Sequence, residues 1–388
     1  MISFEERIRA ALIGGALGDA MGAPVEGWGS DKILAAFSDW DFSSFIPPQG
    51  WDGESHYWKG NGRITDDTLM IEAFMNAYNK AGTHLDAYGY AEHVIPQVAD
   101  VQVWVPEYQK TMAIWERLWV PEKYPMFRLR YNNAEPRTAG VGNLVNCGVA
   151  MWIMPAGAVN AGNPEAAYQE AAAVAQAHNE SFAVEAAAVL AAAQAEAFAG
   201  TSSDAVTATA LRLAKDGTRA ACAAAVEAAD PADDLPTFIA KVRAAVSPYD
   251  QRTEHTSDDK PLAVIQTGKV TDMGRPSRTM SIEEVPVALA VLAYGEGDFL
   301  KTLRAGVCYG RDCDSIASMA CGLYGALNGD ASFPENLIRE LDSANRRVFK
   351  DMSDVFSKTV RTIHGQDEVR EQRRHQLMGA AHATFVSK

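Results

Sequence analysis

Two short acidic stretches, Thr65-Asp66-Asp67-Thr68 within GRITDDTLM and Asp312-Cys313-Asp314-Ser315 within GRDCDSIASMACG, share one design. Each places two carboxylates and one or two hydroxyls at the mouth of an apolar, small-residue helical run. Oxygen donors at that density suit a hard divalent cation, so each stretch reads as half of a cation site. Asp66 and Asp67 are adjacent, and on a first helical turn their side chains diverge by about 100°. They would serve different ions, or one ion and its water. Thr65 can cap the helix or give its oxygen to a cation. Asp312 and Asp314 are one residue apart and project to the same side of an extended lead-in, with Cys313 turned the other way. The plainer account of the first stretch is a helix cap. The second stretch argues against it, because four carboxylates brought together are hard to sustain without cations. Oxygen-only ligands favour magnesium or manganese over zinc.

Helices must position these residues, and the pattern is helical nearly throughout. Asn163-Pro164-Glu165 opens a segment running to His178, and Ser181 opens an alanine-rich run to Ala199. Ser281-x-x-Glu284 forms a capping box ahead of PVALAVLAYG. Alternating strand patterns are scarce. Across residues 166–245 the Leu, Val, Phe and Ile positions recur at helical spacing, which makes this alanine-rich stretch closely packed helices and not low complexity. Three irregular segments, 28–64, 119–162 and 247–280, are expected to surround the active site. Residues 1–330 read as the main domain, and the charged composition after that point reads as a C-terminal helical extension over 331–388.

The chain has 388 residues, 47% of them hydrophobic, enough for a full core. No apolar run approaches the roughly 20 residues that span a bilayer, and no signal-type stretch opens the sequence, so a cytoplasmic, membrane-free protein is expected. Five cysteines, Cys147, Cys222, Cys308, Cys313 and Cys321, include no Cys-x-x-Cys pair, which argues against a disulfide framework and structural zinc. A formal net charge of −15 without a basic cluster argues against nucleic acid as partner. The oligomeric state is not legible.

With these residues in view, RAALIGGALGDAMGAPVEG near the N-terminus, GRITDDTLM, and the late GRDCDSIASMACGLYGAL together resemble the ADP-ribosylglycohydrolase family, in family order and across roughly residues 6–328. The resemblance implies an all-α fold, a compact orthogonal helical bundle with a binuclear metal site. It implies two magnesium ions, with manganese possible, and cleavage of the bond between ribose C1 and a nitrogen or oxygen. By position, Thr65, Asp66, Asp67, Asp312, Asp314 and Ser315 match the metal ligands, and Glu26 matches the mobile acidic residue near the scissile bond. Glu26, Asp67 and Asp312 carry the catalytic expectation, with Glu26 acting on water as base or orienter. Asp19 reads as structural.

The same resemblance places the substrate-binding expectation on Asn146, Cys147, Gly148, Trp152, His178 and Arg311. Registered on Pro155, the segment NCGVAMWIMP has Asn146, Cys147 and Trp152 where the family carries Gly, Asn and Arg. Arg311 stands for the second Gly of a Gly-Gly-Asp. The lost polar contact and cation imply a small N-ribosylated or NAD-derived compound as an alternative to an ADP-ribosylated protein. Trp152 would offer either a flat apolar surface or core packing. A non-catalytic, crystallin-like relative is a further alternative, against which both intact clusters argue. Residues 101–138, with Trp104, Trp115, Trp119, Arg128, Arg130 and Arg137, fit no motif of the family.

Overall fold

The computed structural model describes residues 2–49, 59–249 and 283–386. Its fold is all-α, as expected, with one small hairpin as the exception. The principal helices in chain order are α1 (Phe4–Gly22), α2 (Asp66–Ala81), α3 (Pro164–Ala175), α4 (Phe182–Phe198), α5 (Ser203–Leu213) and α6 (Asp216–Glu227). They continue with α7 (Leu235–Val246), α8 (Glu284–Gly295), α9 (Phe299–Tyr309), α10 (Cys313–Asn328), α11 (Glu335–Asn345) and α12 (Phe349–Val386). Among the described residues, none is long and apolar enough to cross a membrane.

Local chemistry sets the helix ends. Ser3 and Glu6 form a reciprocal capping box on α1, and the Asn163 side chain accepts from Ala166 N to start α3. Helix α3 stops at Ala175, and His178 lies in the turn beyond it. Ser181 precedes α4 as expected but at φ 56°, with no side-chain cap of its own. Ser281 and the rest of 250–282 lie outside the described residues, as do 50–58, so the segments expected at 28–64 and 247–280 are seen only in part.

The central contact joins α1 to α10. Gly14, Gly18 and Gly22 repeat every four residues along one side of α1, and this face meets the α10 backbone. A Cβ at Gly18 would sit 2.3 Å from the carbonyl oxygen of Ala317, and one at Gly22 would sit 2.6 Å from Cα of Asp314. Only hydrogen at these positions lets the two axes approach so closely. The consequence is functional as well as structural, because the seam holds Asp314 against the end of α1.

Residues 102–113 form an antiparallel hairpin of β1 (Gln102–Val105) and β2 (Lys110–Ala113), pairing Gln102 with Ala113 and Val105 with Lys110. It leads into the short helix Ile114–Arg117. Beyond residue 330, Leu337, Leu341, Phe349, Phe356, Val360 and Ile363 are fully buried in the same core. Asn345 there accepts from Ile64 N and donates to the Gly62 carbonyl, fixing the approach to α2.

Candidate active site

The start of α2 is capped by a side chain from another helix. Asp19, fully buried near the end of α1, accepts hydrogen bonds from Thr65 N (2.9 Å), Thr65 Oγ1 (2.8 Å), Thr68 N (3.2 Å) and Thr68 Oγ1 (2.5 Å). Burial pushes its carboxyl up to about 6 although these donors pull it down. Its role is structural, as expected. Because the Thr65 hydroxyl spends its proton on Asp19, its lone pairs remain available to a cation.

The glycine seam carries the start of α10 onto the start of α2. Carboxylate oxygens of Asp19, Asp67 and Asp314 lie within 4.8 Å of one another, and so do those of Glu26, Asp312 and Asp314. Burial and then the charges of Asp19, Asp66 and Asp312 drive the Asp67 carboxyl well above the usual carboxylate range. Asp314 is driven up in the same direction by burial and by Glu26, and Asp312 rises for the same two reasons. Oδ1 of Asp67 and Oδ1 of Asp314 are buried and have no hydrogen-bond partner among the described residues. Two buried, partnerless carboxylate oxygens are costly on their own and are what a cation would satisfy. The oxygen-only donor set fits a hard divalent ion. Ser315, also buried, lies beside Asp67 and lowers its pKa by hydrogen bonding.

Glu26 reaches the group through a backbone clasp. Gly27 N donates to the Arg311 carbonyl and Arg311 N to the Trp28 carbonyl, each at 2.7 Å, locking the turn after α1 against the turn before Asp312. Gly310 permits this at φ +79°, where an added Cβ would lie 2.6 Å from the Trp28 carbonyl oxygen. Glu26 is solvent-exposed and ion-paired with Lys59. Burial raises its pKa, but Lys59 and Arg117 outweigh this and leave it below the ordinary value. Glu26 is therefore an ionised group beside the cationic Lys59 and Arg117.

The remaining expected residues have other partners. Asp66 points to Arg117, with Nη1 to Oδ2 at 2.6 Å, and Arg117 is clamped by the buried Glu107 at 2.5 and 2.9 Å. Arg311, at φ +61°, pairs with Glu283 at 2.6 Å. Cys147 donates its thiol to Asp312 Oδ2 at 3.0 Å, and burial followed by Asp312 keeps that thiol protonated. Asn146 donates to Glu122 Oε1 at 2.6 Å, and Gly148 leaves room for that carboxyl, since a Cβ there would lie 2.4 Å from the same oxygen. The flat surface considered for Trp152 does not exist: the indole is fully buried, stacked on Tyr90 and edge-on to Phe74 and His178. His178 is equally buried, its Nδ1 bonded to Tyr90 Oη at 2.8 Å, and burial lowers its pKa to about 3. Cys313 faces the Gly22 carbonyl at 3.5 Å, on the side away from the carboxylates.

Lys59, Glu107, Arg117 and Glu122 went unread in the sequence. Lys59 stands alone in HYWKGNGR, and Arg117 in IWERLW has no flanking motif. The only available signal for either was the surplus of acid it had to balance. The hairpin 102–113 gives the unassigned segment a purpose, because it delivers Glu107 and Arg117 to Asp66.

Comparison with known proteins bears on this geometry. Residues 1–368 match the family model described as ADP-ribosylglycohydrolase. The chain is also 25% identical over 355 residues to the uncharacterized protein YegU of Escherichia coli (strain K12), an alignment covering 91% of this chain and 97% of that protein.

Proposed function

We propose that this chain, which belongs to the ADP-ribosylglycohydrolase family, is a magnesium-dependent hydrolase cleaving the glycosidic bond at ribose C1 of an ADP-ribosylated or related ribosylated substrate. The family is one of hydrolases acting on glycosyl bonds. One observation carries the reading for this chain: two helix starts meet so that Asp67 and Asp314 each present a buried oxygen without a partner. A crystallin-like structural role gives no reason to keep such oxygens.

A bound magnesium ion would supply Lewis acidity and a fixed positive charge for ribose hydroxyls and water. Thr65, Asp67, Asp312, Asp314 and Ser315 are the residues that would hold it. Glu26, ionised and at the solvent edge, orients the attacking water and accepts its proton as the water oxygen bonds to C1 and the bond to the leaving nitrogen or oxygen breaks; that proton then passes to the leaving atom, which restores the carboxylate. Asp312, held by the Cys147 thiol and ionised once a cation offsets its burial, would set negative charge beside the positively charged, oxocarbenium-like transition state.

The substrate side is read from the loop at 146–152. With Cys147 donating to Asp312, Asn146 spent on Glu122 and Trp152 in the core, this loop offers no cation to a diphosphate. A small ADP-ribose conjugate or N-riboside should be turned over at least as well as ADP-ribosylated protein. The check is a comparison of ADP-ribosyl-arginine protein, small ADP-ribose conjugates and simple N-ribosides at one magnesium concentration. No hydrolysis of any of them, or full hydrolysis in excess chelator, removes the reading; a strong preference for the protein removes its small-molecule part.

A further inference from the structure

Two carboxylate groups share Asp314, and they are not equivalent. In the group of Glu26, Asp312 and Asp314, the chain brings its own donors: Lys59 Nζ pairs with Glu26, and the Cys147 thiol donates to Asp312 at 3.0 Å. In the group of Asp19, Asp67 and Asp314, Asp19 is saturated by Thr65 and Thr68, while Oδ1 of Asp67 and Oδ1 of Asp314 are buried without a partner. The remaining aspartate, Asp66, is held by Arg117, which is itself gripped through two N–H groups by Glu107. Moving Asp66 into the centre would take one of its two carboxylate partners from a largely buried guanidinium, so Asp66 is assigned to Arg117 and to neither group.

We propose that Lys59 is the resident cation of the Glu26–Asp312–Asp314 group, so that the centre takes one divalent ion per chain, bound at Asp67 and Asp314, and not two. The inference rests on the metal-dependent reading above and fixes its stoichiometry. An ammonium on Glu26 supplies positive charge where a second ion would sit, and like charges at contact distance repel. A monovalent ammonium has a further consequence. It holds Glu26 in place without drawing both of its oxygens into coordination, so one remains for water.

The experiment counts Mn²⁺ ions bound per full-length chain, by equilibrium dialysis with the free ion read by electron paramagnetic resonance. Wild type is expected to bind one. Lys59→Met, which removes a partly exposed side chain, is expected to bind two. Asp67→Asn is expected to weaken the single site at least tenfold, while Glu26→Gln still binds one. Two ions in wild type, no second ion in Lys59→Met, or an undiminished site in Asp67→Asn would each overturn the proposal. Two ions together with glycosyl hydrolysis would remove this inference and leave the proposed function standing, whereas no ion at all would remove both.

Discussion

Among the regions of this molecule that enclose carboxylates, two treat them oppositely. Around Glu170 on α3 every acceptor is used: Oε1 takes Tyr78 Oη and Leu85 N, each at 2.8 Å, and Oε2 takes Asn160 Nδ2 at 2.6 Å and His84 Nδ1 at 2.5 Å. His84 passes the link on to Asp367 of α12 through Nε2 at 2.9 Å. Where α2 and α10 begin, Asp67 and Asp314 are buried more deeply than Glu170, yet each keeps an oxygen with no hydrogen-bond partner among the described residues. A saturated carboxylate fastens helices to one another, and an unsaturated one waits for a ligand.

The sharpest way to break this contrast is to neutralise one acid in each region. Asp314→Asn should lower turnover on the order of 1,000-fold, the scale of losing a main electrostatic contact in a hydrolytic site. The ion-free fold should be no less stable, since one source of carboxylate repulsion is gone. Glu170→Ala should do the reverse: it strands Tyr78, Asn160, Leu85 N and His84 and costs about 3 kcal/mol or more of stability. Turnover per folded molecule should stay near wild type. Urea melts in chelator paired with turnover per folded enzyme separate the outcomes, and a catalytic Glu170 or a stability-bearing Asp314 would collapse the distinction.

A pH series sharpens it next. Burial opposes charge on His84, but the hydrogen bonds and charges of Glu170 and Asp367 prevail and raise its pKa from 6.5 to about 9. A folded-state pKa above the unfolded one means that the stabilisation is fully present below about pH 6.5 and is lost as pH rises through about 9. Solvent screening at this partly exposed imidazole holds its size to on the order of 1–2 kcal/mol. The stability gap between wild type and His84→Gln should therefore be widest near pH 6 and close by about pH 10. A gap that widens with pH would show the imidazole to be neutral in the fold.

Magnesium supplies the complementary test at the other region. An ion that binds only the folded chain stabilises it by linkage, by about 2.7 kcal/mol at a hundred times its Kd. Thermal melts of wild type and His84→Gln should both rise with added magnesium and fall back in chelator. Asp67→Asn should gain no more than about half as much, as a site weakened at least tenfold requires. Equal responses in all three would make the acidic helix starts mere caps.

The two regions also differ in how far the sequence revealed them. TDDT and DCDS, each ahead of a small-residue helix, mark the centre from local spacing, and the family motifs give its architecture. Asp19, read as structural, caps the start of α2 through Thr65 and Thr68. Partner choice was not legible. Whether Asp66 looks inward or toward Arg117 depends on a hairpin some forty residues downstream, and Lys59 meets Glu26 only once Gly27 and Arg311 have clasped. Trp152 illustrates the limit of registering a loop by one proline: alignment puts it on the family's Arg, but an indole gains more from packing against Phe74 and Tyr90 than from solvent. The Glu170 centre left no trace at all, because its members are single residues far apart in the chain.

The smallest expected effect concerns the two thiols that flank Asp312. Cys313 is fully buried, faces the Gly22 carbonyl, and is kept protonated by burial and by the neighbouring Asp314, Glu26 and Asp312. A protonated, enclosed thiol is a poor nucleophile. Cys313→Ser should keep turnover within about threefold of wild type, and it should lose on the order of 1 kcal/mol of stability as a hydroxyl replaces sulfur in a tight seam. Cys147 donates to a carboxylate of the centre, so Cys147→Ser should preserve that bond and most activity, whereas Cys147→Ala should lose more by stripping a partner from Asp312. Steady-state rates of the three variants at saturating magnesium test the ordering. A Cys313→Ser defect larger than that of Cys147→Ala would mean that the seam side of α10, and not its acid-bearing side, faces the chemistry.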